Sequence, residues 1–147
     1  VEEKAIAKIL GGYDRIHKGG NPGLVLELLT GYPTEEISTQ KPQEELTAIL
    51  NDLLINNRIA VVCSKPIVMI PNSYSILSYE QHGNSQNVIT LPNGDLIYCP
   101  HVYVLDKVNK HSIRLLNPHG KGQLTLSPKV FIDCFQSIKV SQYRPSY

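Results

Sequence analysis

The spacing of apolar residues changes character near residue 58, and this change constrains the fold more than any other feature. Two stretches before it carry apolar residues at helical spacing: Val1, Ala5, Ile6, Ile9 and Leu10, then Leu46, Ile49, Leu50, Leu53 and Leu54. After it, short β-branched and Tyr-rich runs alternate with turn residues. Helices followed by a mostly antiparallel sheet predict an α+β fold.

The sequence predicts specific elements on both sides of this change. Helices are expected over residues 1–10, 22–29 and 42–55, with residues 32–42 as a connector. Ser127 is expected to cap a short helix that runs to residue 135. Asn93-Gly94 is typical of a hairpin turn. Strands are predicted over residues 59–63, 67–79, 88–91, 101–108, 112–116, 123–126 and 137–143.

Composition excludes several classes of partner. Of the 147 residues, 41% are apolar and 18% are charged, as in a soluble globular protein with a packed core. A net charge of +1 gives no electrostatic footprint for nucleic acid or an anionic membrane, so neither partner is predicted. The longest apolar stretch, residues 59–63, is too short to span a bilayer. The chain opens with Val1 rather than Met, which favours a missing N-terminal segment.

Three cysteines, Cys63, Cys99 and Cys134, form an odd count with no short spacing. This pattern suggests neither a disulfide framework nor a zinc site. We therefore expect buried, inert thiols in a reducing compartment, and we predict no metal and no cofactor.

The segments on either side of Asn109 predict a hairpin that brings two polar residues together. A turn centred on Asn109 sets Tyr103 against Leu115 and His101 against Asn117. Opposite residues have Cβ atoms about 4.5–5.5 Å apart, so the imidazole and the amide are expected within hydrogen-bonding range. A slip of one residue would separate them.

An imidazole held by a carboxamide suits catalysis by a thiol. The imidazole takes the thiol proton and later protonates the leaving amine, while the amide fixes its tautomer and orientation. Taken alone, a histidine and an asparagine in a hairpin are more often ordinary polar residues at strand ends. Tyr98 and Tyr103 are interpreted mainly as packing residues, with lining of a substrate cleft as the alternative.

Four short motifs follow one another in the first forty residues, beginning with EKAIAK at residues 3–8. This motif is similar to the EKAYAK helix of the calpain-like cysteine peptidases of the papain-like superfamily, which the segment resembles. Gly12-Tyr13, residues 19–21 (GGN) and residues 28–31 (LLTG) follow in the family's order. The resemblance implies that residues 1–40 are C-terminal helices of the cysteine-bearing subdomain.

Residues 41–147 resemble the subdomain of the family that carries the catalytic histidine and asparagine. A helix over residues 46–55 leads into a strand that ends in Cys63-Ser64. Residues 101–104 (HVYV) stand where calpains have HAYS, and residues 114–120 (RLLNPHG) are similar to RLRNPWG. The resemblance implies a papain-like fold with an antiparallel sheet or half-barrel. It also implies that His101 is the general base and acid and that Asn117 orients it.

The chain departs from the family pattern at three points. It contains no Gly-Asp-Cys-Trp segment, and no residue matches the oxyanion-hole glutamine. Pro100 replaces the usual glycine, and His119 replaces the tryptophan that shields the histidine–asparagine bond. Only two residues separate Gly120 from Gln123, where calpains carry a calcium-binding insertion, so no calcium site of that kind is expected. The other histidines, His17, His82 and His111, are expected to be exposed.

Three interpretations follow. The first is the C-terminal part of a calpain-like endopeptidase, intracellular as most calpains are, which hydrolyses protein or peptide substrates with a cysteine supplied by an upstream segment or a companion chain. The second is a catalytically inactive calpain-like domain that acts as a protein-interaction module. The third is an unrelated α+β ligand-binding domain.

Overall fold

The computed structural model describes residues 34–81, 84–99, 101–117 and 123–141, and these residues form an α+β structure. Two α-helices and nine strands are present in this part of the chain, and all of the strand pairs are antiparallel. The predicted α+β class is therefore confirmed. The predicted helices over residues 1–10 and 22–29 lie outside the described residues.

Six strands form the main sheet, in the order β1-β9-β2-β6-β7-β8. Their bounds are Thr34–Ser38 (β1), Ala60–Ser64 (β2), Val102–Val108 (β6), Ile113–Leu116 (β7), Gln123–Leu126 (β8) and Phe135–Ser141 (β9). Strand β2 is one of the two central strands of this sheet, and it pairs with β9 on one side and with β6 on the other. Four of its five residues, Ala60, Val61, Val62 and Ser64, are buried and Cys63 is partly exposed, as expected of a strand largely covered on both faces.

A second sheet contains three strands in the order β3-β4-β5. Their bounds are Ser75–Gln81 (β3), Asn84–Thr90 (β4) and Leu96–Cys99 (β5). The β4–β5 connection contains the predicted Asn93-Gly94 turn, and Gly94 has a φ of +92°, a conformation that glycine adopts without steric penalty. Strand β5 ends just before His101, so this second sheet leads directly into the candidate site.

Helix α1 (Gln43–Ile55) covers one face of the main sheet and packs against β6 and helix α2 (Pro128–Cys134). Glu44 and Glu45 lie in its first turn, where the helix dipole favours negative charge. Its buried residues are Leu46, Leu50 and Leu53, which join the central apolar cluster. Ser127 caps α2 as predicted, because its side chain accepts a hydrogen bond from the Val130 amide.

Two predicted elements are wrong. The expected connector over residues 32–42 contains strand β1, which pairs along its whole length with β9. The predicted strand over residues 67–79 begins instead with a short 3₁₀-helix, Ile67–Met69, and becomes a strand only at Ser75. The division of the chain at residue 40 stays a prediction, because residues 1–33 are not described.

The sequence contains no apolar stretch long enough to span a bilayer, and the helices of the structure can be compared with that prediction. Neither α1 nor α2, the two α-helices in the described part of the chain, is long and apolar enough to cross a membrane.

Candidate active site

The predicted pairing of the β6–β7 hairpin is wrong, by two residues at the open end of the hairpin. The sequence predicts Tyr103 opposite Leu115 and His101 opposite Asn117. In the structure Leu115 pairs with Leu105 instead. His101 and Asn117 are therefore not a direct cross-strand pair in the observed register.

The length of the hairpin loop explains this difference. Val108 pairs with Ile113, so residues 109–112 form the loop and its centre lies beyond Asn109. The Asn109 side chain accepts hydrogen bonds from the amides of His111 (2.8 Å) and Ser112 (2.9 Å), which stabilise the loop. A bulge between Leu105 and Lys107 changes the register once more.

His101 and Asn117 nevertheless meet at the open end of the hairpin. The distance between His101 Nε2 and Asn117 Oδ1 is 3.2 Å, and both side chains are half-buried. Extending the observed register by one residue beyond the Val104–Leu116 pair sets Asn117 opposite Tyr103, two residues from His101. Residues two apart share a face of the sheet, so His101 and Asn117 are diagonal neighbours.

The contact with Asn117 Oδ1 selects between the two neutral tautomers of the imidazole. A carbonyl oxygen only accepts hydrogen bonds, so Asn117 Oδ1 requires the proton to be on Nε2 of His101. In that neutral tautomer Nδ1 carries the lone pair and is the basic nitrogen of the ring. This arrangement can take a proton at Nδ1 while Nε2 remains bonded to the amide.

Two tyrosines surround the imidazole. The Tyr103 ring lies 5.0 Å from the His101 ring and the Tyr98 ring lies 5.9 Å from it, both edge-on. Tyr103 is 1% exposed and packs in turn against Phe135 at 5.7 Å, so its packing role is confirmed. Tyr103 belongs to the central apolar cluster, so the imidazole packs against a residue of the core.

The backbone of His101 is held by Ser64, the last residue of β2. The His101 amide donates to Ser64 Oγ at 2.7 Å, and the Ser64 amide donates to the His101 carbonyl at 2.9 Å. The same hydroxyl donates to the Tyr98 carbonyl at 2.8 Å. The sequence did not predict these contacts of Ser64. The one signal for them is that Ser64 directly follows the predicted buried strand over residues 59–63, where a polar side chain needs a hydrogen-bond partner.

Burial raises the pKa of all three cysteines. Desolvation is the main cause in each, and it raises the pKa of Cys99 to about 11 and of Cys134 to about 12. Desolvation also raises the pKa of Cys63, against the opposing effect of a hydrogen bond with Ser137. None of them is disulfide-bonded, and Cys99 and Cys134 are buried as expected, whereas Cys63 is partly exposed. These are poor candidates for a reactive thiolate.

The turn end of the hairpin carries a different feature. A cavity of about 780 Å³ lies between α1 and the loop, and its lining includes Glu44, Asn51, Lys110 and His111. His111 is exposed there, as predicted. The cavity lining does not include His101 or Asn117, so the cavity is separate from the candidate catalytic pair.

Four residues named in the sequence analysis lie outside the described residues. Pro100, His119, His17 and His82 are not described. Across the part of the chain that the structure covers, no group of three or more His, Cys, Asp or Glu side chains is arranged to hold a metal ion.

Comparison with known proteins adds no assignment. No protein-family model matches the chain. The search of curated proteins returned no match either. The candidate site therefore stands on its own geometry and on the sequence motifs around it.

Proposed function

We propose that this chain is the C-terminal part of a calpain-like cysteine endopeptidase with a papain-like fold. His101 acts as general base and acid, and Asn117 orients it. The nucleophilic cysteine comes from an upstream segment or a companion chain, and the substrate is a protein or peptide. The proposal rests on one observation, the 3.2 Å contact between His101 Nε2 and Asn117 Oδ1.

The geometry supports this chemistry in two ways. With Nε2 bonded to the amide, Nδ1 is the atom that accepts the thiol proton and later returns it to the leaving amine. The neutral amide orients the ring without placing a second negative charge beside the thiolate. His101 is half-buried rather than enclosed in the core, which suits a residue that meets a group from another segment.

The raised pKa values of the three cysteines bear on the source of the nucleophile. Cys99 and Cys134 remain protonated at neutral pH because burial disfavours the thiolate. The proposal therefore assigns the thiol that reacts with His101 to an upstream segment or a companion chain. If there is none, the second candidate applies, and the domain is an inactive interaction module.

The experiment uses the full-length protein together with any companion chain encoded beside it. Peptide mapping after brief treatment with iodoacetamide at neutral pH identifies a fast-reacting cysteine. We expect that cysteine to lie outside Cys63, Cys99 and Cys134. His101→Ala should lower its alkylation rate and the peptidase activity by about 10²- to 10⁴-fold, the contribution usual for a general base.

His111→Ala is the matched control, because His111 lies in the loop of the same hairpin and is exposed. It should leave both rates unchanged. Equal alkylation in the wild type and in His101→Ala would refute the catalytic role of His101. The absence of any fast-reacting cysteine would favour the interaction module.

A further inference from the structure

The hydrogen bonds of Ser64 differ from those of an ordinary strand residue. Cys63 pairs with Val102 in the β2–β6 ladder, so the next step of the ladder brings Ser64 beside His101. There the Ser64 amide donates to the His101 carbonyl, but the His101 amide donates to the Ser64 hydroxyl. A side-chain oxygen thus accepts the bond from the His101 backbone.

The local backbone explains why a hydroxyl is used. The pairing of β2 with β9 shifts between Cys63 and Ser64, so that Ser64 lies opposite Phe135. Such an irregularity bends the strand and interrupts its regular pairing. At the end of a bent strand a short hydroxyl side chain can accept a hydrogen bond from a backbone amide that does not bond to a carbonyl of the neighbouring strand.

The Ser64 hydroxyl also connects His101 to the end of β5. It donates to the Tyr98 carbonyl at 2.8 Å, and the His101 carbonyl is within reach at 3.2 Å. The Tyr98 amide in turn donates to the Tyr103 hydroxyl at 3.1 Å. Both tyrosine rings contact the imidazole, so the groups that Ser64 holds are also those that pack against His101.

Burial strengthens these bonds. Ser64 is only 2% exposed, so water does not readily replace a lost partner. A buried polar group left without a hydrogen bond is destabilising, which favours one arrangement of the segment over alternatives. The Ser64 hydroxyl is therefore placed to define where the backbone of His101 lies.

We propose that Ser64 is a positioning residue for His101: its hydroxyl, bonded to the His101 amide and the Tyr98 carbonyl, sets the direction from which the imidazole meets Asn117. This inference deepens the proposed function and rests on it for its catalytic consequence. The effect on the imidazole itself is independent of catalysis. Replacing the hydroxyl releases the backbone, and displacement by about 1 Å can slow an enzymatic reaction by about 100-fold.

The test compares Ser64→Ala with Ser64→Thr and Ser64→Cys in the full-length protein labelled with ¹⁵N-histidine. Long-range ¹H–¹⁵N spectra report the tautomer of the His101 ring. We expect the Nε2–H form in the wild type and in Ser64→Thr, which keeps the hydroxyl. Ser64→Ala should shift His101 to a mixture of tautomers. Ser64→Cys has a weaker donor and acceptor, so its fraction of the Nε2–H form should lie between those of the wild type and Ser64→Ala. This variant also serves as the conservative replacement if the larger threonine does not fit.

Ser137→Ala is the matched control. Ser137 is also a buried serine on a neighbouring strand, opposite Cys63, but its backbone partner is not His101. It should lower stability without changing the His101 tautomer. The inference is wrong if Ser64→Ala leaves the tautomer unchanged, or if Ser137→Ala alters it to the same extent.

A second readout separates this inference from the proposed function. The alkylation rate of the fast-reacting cysteine, measured against pH, should fall by about 10- to 100-fold in Ser64→Ala and recover in Ser64→Thr. An unchanged rate in Ser64→Ala with a large loss in His101→Ala would reject the positioning role and keep the function. A changed tautomer in Ser64→Ala, together with no effect of His101→Ala on the alkylation rate of the thiol, would keep the positioning role and reject the proposed function.

Discussion

The cysteines and His101 lie in contrasting environments. Cys99 and Cys134 are buried in the core, where the low dielectric disfavours a thiolate. His101 is half-buried at the open end of the β6–β7 hairpin, where its imidazole contacts Asn117. At the residue scale the chain thus combines an imidazole in contact with an amide and thiols whose pKa values are raised by burial.

The buried thiols predict that the protein loses stability at alkaline pH. Each has an ordinary pKa of 9.0, and burial raises that of Cys99 to about 11 and that of Cys134 to about 12. Between these values the unfolded chain has released protons that the folded chain still binds. The free energy of unfolding is therefore expected to be insensitive to these groups below pH 9 and to fall as the pH rises from 9 towards 12. Urea denaturation from pH 7 to 10 measures the start of this decline.

The double variant Cys99→Ala and Cys134→Ala is the control for this prediction. It removes both thiols and should flatten the decline between pH 9 and 10, although it lowers the overall stability. A decline of equal slope in the variant would show that other groups cause it.

The meeting of His101 and Asn117 followed from the sequence even though the predicted register was wrong. The error was two residues, and side chains alternate with a period of two, so both residues stayed on the same face. Loop length and the bulge at residue 106 could not be deduced from propensity, because Asn109 stabilises a longer loop through its side chain. The role of Ser64 depends on a strand irregularity that the sequence pattern does not indicate.

At the scale of elements, the hairpin of β4 and β5 leads the chain to His101. Thr90 pairs with Leu96, and the Leu91 amide donates to the Asp95 carbonyl at 2.8 Å. Gly94 completes this turn with a φ of +92°. Since nothing lies within 4 Å of the place where a Cβ would be, only the backbone conformation requires glycine there.

We predict that Gly94→Ala destabilises the protein by about 1–2 kcal/mol, because an L side chain strains a left-handed backbone. Gly94→Asn should be less destabilising, since asparagine tolerates positive φ better than alanine. Urea denaturation of both variants measures the difference. Equal stabilities of the alanine variant and the wild type would contradict the turn geometry.

Elements differ in how far the sequence predicted them. Strand β8 and helix α2 were predicted almost to the residue, because alternation and the Ser127-Pro128 cap are local signals. Strand β1 was not, since its sequence, TEEIS, carries two adjacent acidic residues and little apolar alternation. It is an edge strand stabilised by its pairing with β9 and by ion pairs from Glu35 to Arg58 and from Glu36 to Lys139.

At the scale of the whole molecule, residues 34–40 join the start of the described chain to its end. Strand β1 pairs with β9, and the buried Thr39 hydroxyl donates to the Phe135 carbonyl at 2.5 Å. The side-chain amide nitrogen of Gln40 donates to the carbonyls of Ile132 and Phe135, at 3.1 and 3.2 Å. These contacts fix helix α2 and β9, on which the ring of Tyr103 packs through Phe135.

A chain that begins at Lys41, the start of the predicted second subdomain, should therefore be less stable than one that begins at Thr34. Loss of β1 and of the bonds from Thr39 and Gln40 should lower the free energy of unfolding by at least about 2 kcal/mol, at about 0.5–1.5 kcal/mol for each hydrogen bond. Thermal and urea denaturation of the two chains measure this difference. Equal stabilities would show that residues 34–40 contribute little to the fold.

Two separate parts of the main sheet bring His101 and Asn117 together. Ser64 at the end of β2 binds the backbone of His101, and Asn117 directly follows the end of β7. The tautomer of the His101 ring is the measurement that tests this arrangement most directly. Long-range ¹H–¹⁵N spectra at a pH where the ring is neutral should show His101 as the Nε2–H form in the wild type, and Asn117→Ala should abolish that preference. An Nδ1–H ring in the wild type, or a spectrum that Asn117→Ala leaves unchanged, would contradict the arrangement and with it the proposed protease chemistry.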